Sequence, residues 1–272
     1  TIEKNKFITN ATLGKLYHNN ILDKYKQFMF ENIKIDRRLN VVMDCGNAVG
    51  GIIAPEIYKN FNIELEELYC DVDPDFPNHH PDPTVDSNLK DMIDIVKSGV
   101  YDVGIAFDGD ADRIVAVSNK GEIIRADILL AFFLEFVVKK NDTVVYDVKC
   151  SKSLEDSIKK LRAKPIMWKT GHSLIKSKMI DSKSKIGGEM SGHIFFSDKY
   201  FGFDDGIYVG LRLLEILSRS SLSLSDMISV IPKYFSTPEI RIDCKDDNEK
   251  RIVSIELINY FKNKYDCCEI DG

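Results

Sequence analysis

Two consecutive α/β domains, each a mixed sheet flanked by helices, followed by a partial C-terminal α+β unit, are the architecture that the sequence predicts. Three observations carry this expectation. Short apolar runs alternate with stretches of helical periodicity through most of the chain. The runs lead into Gly- and Asp-rich turns at residues 44–51, 108–113 and 187–193, the places where α/β folds gather their ligands. After Pro232 the texture changes, and the 40 remaining residues are too few to complete another unit. The expected divisions are therefore 1–124, 125–232 and 233–272, with the first seam set near residue 124.

In chain order, residues 11–32 are expected to form an amphipathic helix, because Leu13, Leu16, Tyr17, Ile21, Tyr25 and Phe28 recur at helical spacing. Strands are expected at 39–43 and 63–68, separated by a Gly-rich turn and a helix through Ile57. Four prolines (Pro74, Pro77, Pro81, Pro83) deny residues 71–86 the donors of a ladder, so that segment reads as loop. A helix at 89–97 and strands at 100–107 and 114–118 complete the first half. The second half repeats the alternation, with helix 127–139, strand 143–147, helix 153–161, strand 166–168, a helix from His172 and a short strand from Ile186. Asp204 or Asp205 is suited to cap a helix running to Leu217. Beyond Pro232 the pattern gives a strand at 239–244 and a charged helix at 247–260.

Composition bounds the function. A net charge of −6 over 272 residues argues against non-specific binding to nucleic acid or to anionic membranes, so an anionic ligand must be held by local cations or a metal. The longest apolar stretch, 128–138, is interrupted by Glu135 and too short to cross a bilayer. The chain opens on Thr1 rather than Met, and no signal peptide is read in its first residues. Six cysteines (Cys45, Cys70, Cys150, Cys244, Cys267, Cys268) show no metal or disulfide spacing, which fits free thiols in a cytoplasmic protein.

The strongest chemical signal is Asp108-Gly109-Asp110-Ala111-Asp112-Arg113, directly after an apolar run. Three alternating carboxylates repel one another unless a cation sits among them. Oxygen-only donors favour a hard ion such as Mg²⁺, which takes octahedral oxygens at about 2.0–2.1 Å. A calcium EF-hand fits poorly, since Arg113 and Asn119 stand where that loop needs Gly and Glu. A haloacid-dehalogenase-like phosphatase, with Asp108 as nucleophile and Asp110 as acid/base, fits better, and Asp204-Asp205 would mimic its distal acidic pair. A solvated acidic turn is the bland alternative.

The second signal is Gly187-Gly188-Glu189-Met190-Ser191-Gly192-His193. Its glycines admit close backbone approach, and its acceptor and donor set suits vicinal hydroxyls. A Gly-rich hairpin with a capping serine is the alternative. The third signal is Lys149 at a strand end, with His172 in Trp168-Lys169-Thr170-Gly171-His172. A partly desolvated lysine there can act as acid/base, although a lone Lys or His is more often structural. His79-His80 reads as loop packing, because neighbouring residues rarely aim at one ion.

Together the segments resemble the α-D-phosphohexomutase family, most closely its bacterial phosphomannomutase/phosphoglucomutase members. The resemblance runs through residues 44–47, 76–84, 108–113, 168–176, 188–193 and 200–206 in order and spacing. It implies the second and third of four family domains plus the start of the fourth. It also implies an isomerase that moves phosphate between C1 and C6 of a hexose through a bisphosphorylated intermediate. By the resemblance Asp108, Asp110 and Asp112 hold Mg²⁺, and Arg113 touches the transferring phosphate. Glu189 and Ser191 bind sugar hydroxyls, with His193 nearby, and Lys149 and His172 serve as acid/base or orienting groups. The partner implied is a hexose phosphate.

Neither the family's phosphoserine loop nor its Arg-x-Ser-Asn-Thr type phosphate clamp occurs within the 272 residues. The expectation is therefore a chain inactive by itself. A Mg²⁺-dependent aspartate-nucleophile phosphatase and a non-catalytic sugar-phosphate-binding remnant are the alternatives.

Overall fold

The computed structural model describes residues 14–235, 243–267 and 269–271. Strand β1 (Leu39–Asp44) and, after α2 (Ala54–Lys59), strand β2 (Ile63–Leu68) pair in parallel, Val41 opposite Leu65. Following α3 (Lys90–Val96), β3 (Val103–Phe107) lies parallel to the other side of β1. Then β4 (Ile114–Ser118) and β5 (Ile123–Ile124) turn back antiparallel, giving the order β2-β1-β3-β4-β5. β3 carries no polar side chain and β1 only Asn40 and Asp44, because both faces of the sheet are covered. β2 lies at the edge, and its alternate glutamates Glu64 and Glu66 are exposed, which blunts an otherwise open ladder.

The second sheet repeats the plan. After α4 (Ala126–Val137), β6 (Thr143–Asp147) is flanked in parallel by β7 (Lys164–Trp168) and β8 (Ile186–Gly188), with α5 (Lys152–Lys160) and α6 (His172–Ser182) as crossovers. β9 (Ile194–Phe196) closes the order β7-β6-β8-β9 antiparallel to β8. The mixed sheets are as expected. β5, β9 and the short helix α8 (Leu224–Ile228) are additions, each too brief to show a period in sequence.

Helix α7 (Gly206–Ser218) is buried along all its residues because it packs on β3 and β4 of the first sheet and on β9 of the second. One apolar cluster consequently runs from Val41 and Ile105 through Leu211 and Leu214 to Val144 and Ile186. Of the two cap candidates, Asp205 is the one used. Its carboxylate accepts the Tyr208 N–H (2.9 Å), the Tyr200 hydroxyl (2.5 Å) and the Tyr25 hydroxyl (2.9 Å) from the far end of the chain. Burial nevertheless pushes the Asp205 carboxyl above its ordinary range, with the tyrosine and backbone bonds pulling the other way.

Two expectations are corrected. Helix α1 spans Leu22–Asn32, not 11–32; residues 14–21 are not helical, and 11–13 lie outside the described residues. Asn20 Oδ1 accepts the Leu22 N–H (3.0 Å), stopping the helix there, and Leu16 and Tyr17 are 82% and 79% exposed, so no apolar face pulls the segment onto the core. In the C-terminal segment α9 extends over Asp247–Lys264, four residues beyond expectation, with Asp246 capping the Glu249 N–H (2.9 Å). Of the strand expected at 239–244, residues 239–242 lie outside the described residues and 243–244 are not strand.

Candidate active site

The acidic loop begins where β3 ends. Ala111 takes a left-handed φ of 61°, turning the chain sharply between Asp110 and Asp112. As a result Asp108, Asp110 and Asp112 each bring one carboxylate oxygen within 4.8 Å of the others. This all-oxygen donor set fits a hard divalent cation of the Mg²⁺ kind. The three are not alike. Asp108 is buried and its oxygens accept the Arg113 backbone N–H (3.0 Å) and Arg113 Nε–H (2.6 Å), whereas Asp110 is exposed. Burial raises the Asp108 carboxyl above its usual range, and Arg113 opposes that rise.

The Gly-rich loop runs from β8 to β9 and is joined to the acidic loop through the backbone. Ile114 N–H donates to Gly192 O (3.2 Å), and Arg113 and His193 form an antiparallel bridge. The side chains follow. His193 Nε2 lies 3.3 Å from Asp112 Oδ1, and its Nδ1 lies 3.0 Å from both Glu189 Oε2 and Ser191 Oγ. Against the downward pull of burial, the bonds to Asp112 and Glu189 raise the His193 imidazole to about 9, so it is a cation at neutral pH. The His193 contact in turn holds Asp112 below its ordinary value.

Glu189 is buried, and its second oxygen accepts the Gly171 N–H (2.6 Å) at the entrance to α6. Both oxygens are thus engaged within the protein. A sugar hydroxyl would have to use their remaining lone pairs or displace the His193 contact. Gly206, the first residue of α7, sits under the acidic loop: a Cβ there would lie 2.8 Å from the carbonyl oxygens of Ala111 and Arg113.

His172 opens α6 with an exposed ring, stacked on His193 at 5.7 Å and 28°, its Nδ1 3.2 Å from Asp204 Oδ2. Lys149 is exposed in the turn after β6, in the field of Asp147. Asp147 ties that turn to the Gly-rich loop by accepting the Met190 N–H (3.2 Å). Sequence reasoning missed the Lys176–Asp204 pair (2.7 Å), which together with His172 lines the same side as His193. The pair lies inside the resembling stretches 168–176 and 200–206, the only signal that could have flagged it.

The loop 76–84 is fastened below by His79, whose Nε2 lies 3.1 Å from the buried Asp44 carboxylate and whose ring meets Tyr69 edge-on. The Asp44 bond raises the His79 pKa above 6.5, with burial opposing. The stability this pair adds is complete below about pH 6.5 and is lost as pH rises through the raised folded-state value. Urea unfolding midpoints should accordingly fall as pH rises above about 6.5, and His79→Gln should remove part of that slope. An unchanged slope in the variant would contradict the assignment.

Two family models match the chain: phosphoglucomutase/phosphomannomutase alpha/beta/alpha domain II over residues 15–121, and domain III over residues 125–234. The phosphomannomutase/phosphoglucomutase of Pseudomonas aeruginosa is 44% identical over 254 residues, covering 93% of this chain and 54% of that protein. The phosphoglucomutase of Neisseria gonorrhoeae is 41% identical over 275 residues, 100% of this chain and 60% of its own length. A phosphoglucomutase/phosphomannomutase family protein from Burkholderia thailandensis superposes with a TM-score of 0.77 at 43% identity, over 80% of this chain and 48% of that one. The chain spans about half the length of the curated relatives it matches. Loop order, strand order and these likenesses agree, and the chain belongs to the phosphoglucomutase/phosphomannomutase family.

Proposed function

We propose that these residues form the metal- and sugar-binding part of a phosphohexomutase of the phosphomannomutase/phosphoglucomutase type, interconverting hexose 1- and 6-phosphates through a bisphosphorylated sugar. The observation that carries the reading is the joining of the acidic loop to the Gly-rich loop through Asp112–His193 and the Arg113–His193 bridge. A phosphoryl group at the metal and a hydroxylated sugar at Glu189 and Ser191 would then be neighbours. Phosphoryl transfer needs positioning and charge neutralisation more than covalent chemistry from the protein. Asp108, Asp110 and Asp112 would hold Mg²⁺, which would supply the main neutralising charge.

Arg113, anchored through Nε on Asp108 and with Nη1 4.0 Å from Asp82 Oδ1, turns its Nη groups to phosphate oxygens, and cationic His193 adds a second positive charge beside them. Lys149 and His172 orient the sugar and move the proton of the reacting hydroxyl. Cys45, Cys70, Cys150 and Cys267 carry thiols rather than disulfides, which supports a cytoplasmic site of action.

The aspartate-nucleophile phosphatase is less favoured. Asp108 is buried with both oxygens engaged by Arg113, and Asp205 is consumed as a helix cap. A non-catalytic sugar-phosphate binder would share the same contacts without turnover.

A chimera tests the reading: these residues replace the matching stretch of the Pseudomonas aeruginosa relative. Mg²⁺-dependent conversion of glucose or mannose 1-phosphate to the 6-phosphate is expected, falling by about 100-fold or more on Arg113→Ala. A folded, Mg²⁺-binding chimera without turnover would reject the mutase in favour of the remnant. The 272 residues assayed alone should bind hexose phosphate weakly and turn nothing over, having no phosphoserine loop. Release of inorganic phosphate by them, abolished in Asp108→Asn, would restore the phosphatase.

A further inference from the structure

We propose that Cys45 and Cys70 form a thiol pair that closes to a disulfide by exchange with a low-molecular-weight disulfide. Their Sγ atoms lie 3.5 Å apart, in contact and unbonded. The pair stands just past the ends of the parallel strands β1 and β2, where backbone pairing continues: Cys45 N–H donates to Leu68 O (3.1 Å) and Asn47 N–H to Tyr69 O (2.7 Å). The Cys70 backbone is held from its other side by Gly51, at which a Cβ would stand 1.9 Å from Cys70 O. Two fixed backbones thus present the sulfurs to each other. Bonding at about 2.05 Å needs the side chains to close by about 1.5 Å, within reach of modest torsional change.

Access is one-sided. Cys45 is fully buried, while Cys70 is half-buried on the wall of a polar surface cavity of ≈ 430 Å³ that also involves Asn47, Glu67, Tyr69, Asp71 and Asn78. Cys70 is therefore the attacking and Cys45 the resolving thiol. The Cys70 thiolate attacks one sulfur of RS–SR, forming Cys70–S–SR and expelling RS⁻. Cys45 then gives up its proton and attacks the Cys70 sulfur, expelling the second RS⁻. The two thiolates take up the two protons released, so one small disulfide is reduced to two thiols as the cysteine pair is oxidised. Asp71 on the cavity wall favours a cationic disulfide over an anionic one, whereas the charge of Glu67 there is met by Lys59.

The closed bond would clip the chain just after Asp44, the last residue of β1, to the end of β2. Asp44 supports residues 76–84 through its pair with His79, and Asp82 of that segment faces Arg113 at 4.0 Å. The clip therefore lies beneath the candidate active site without including any residue assigned to it, and its existence does not depend on the proposed activity.

The test treats the folded 272-residue chain with cystamine, then with glutathione disulfide, blocks remaining thiols and maps peptides by mass. A cross-link between the Cys45 and Cys70 peptides, lighter by two hydrogens and retaining no cysteamine, is expected, forming about tenfold faster with cystamine than with glutathione disulfide. Cys45→Ser should stop at the Cys70 mixed disulfide, and Cys70→Ser should leave Cys45 unmodified while the chain is folded. A stable Cys70 mixed disulfide in the unsubstituted chain, with Cys45 still alkylated after unfolding, would overturn the proposal. So would modification of exposed Cys267 with none at Cys70.

Discussion

Asp205→Ala is expected to destabilise the protein by about 3 kcal/mol or more, read as a fall in the urea midpoint without a change in slope. Three donors lose their acceptor at once: the Tyr208 N–H, the Tyr200 hydroxyl and the Tyr25 hydroxyl. The lost cap alone is worth about 0.5–2 kcal/mol, and a buried hydroxyl left unpaired costs about 1–3 kcal/mol. Tyr200 is buried and stacked on Tyr208 at 3.9 Å, so it has no easy route to water. Tyr25 is the link from α1 to the start of α7, so α1 should loosen before the sheets do. Asp205→Asn separates acceptor from charge. It keeps a carbonyl oxygen and removes the burial cost that raises the carboxyl's pKa, so its loss should stay below about 1 kcal/mol. An alanine variant within about 0.5 kcal/mol of the parent would show that the tyrosine cluster is not a structural joint.

What the sequence displays is local. β2 and β6 lie at their predicted positions, Ile63–Leu68 and Thr143–Asp147, because alternation or a short apolar run bounded by turn residues is a signal of a few neighbours. The cap of α7 was confined to two adjacent aspartates, and only tertiary partners choose Asp205: Tyr25 stands 180 positions away. The same limit applies in the site. Each loop could be recognised by its own spacing, yet the ion pair of Asp112 with His193 joins residues of different sheets, and the Lys176–Asp204 pair carries no periodic mark. The failure at the N-terminal helix has the opposite cause. Spacing of Leu16, Tyr17 and Ile21 promises a face, but none of the described residues covers it.

The acidic loop offers the sharpest separation of metal binding from folding. Asp110→Asn is expected to weaken Mg²⁺ binding by about tenfold or more by calorimetry, because one of three anionic donors becomes neutral. The metal-free protein should lose no stability: Asp110 is exposed, and removing one of three crowded carboxylates relieves repulsion. Asp108→Asn should weaken Mg²⁺ at least as much and also destabilise the metal-free chain by about 2 kcal/mol. It breaks the ion pair with Arg113, whose side chain is 29% exposed, so water recovers part of the larger loss typical of a fully buried pair. Through the Arg113–His193 bridge, that second substitution should also alter the Gly-rich loop, visible as slower or faster amide exchange at Gly192 and Ile114. If both variants kept the parent's Mg²⁺ affinity, the ion would have to sit elsewhere. If instead Asp110→Asn destabilised the protein as much as Asp108→Asn, the loop would be a structural charge cluster, and its carboxylates would be spent on the fold rather than on a cation.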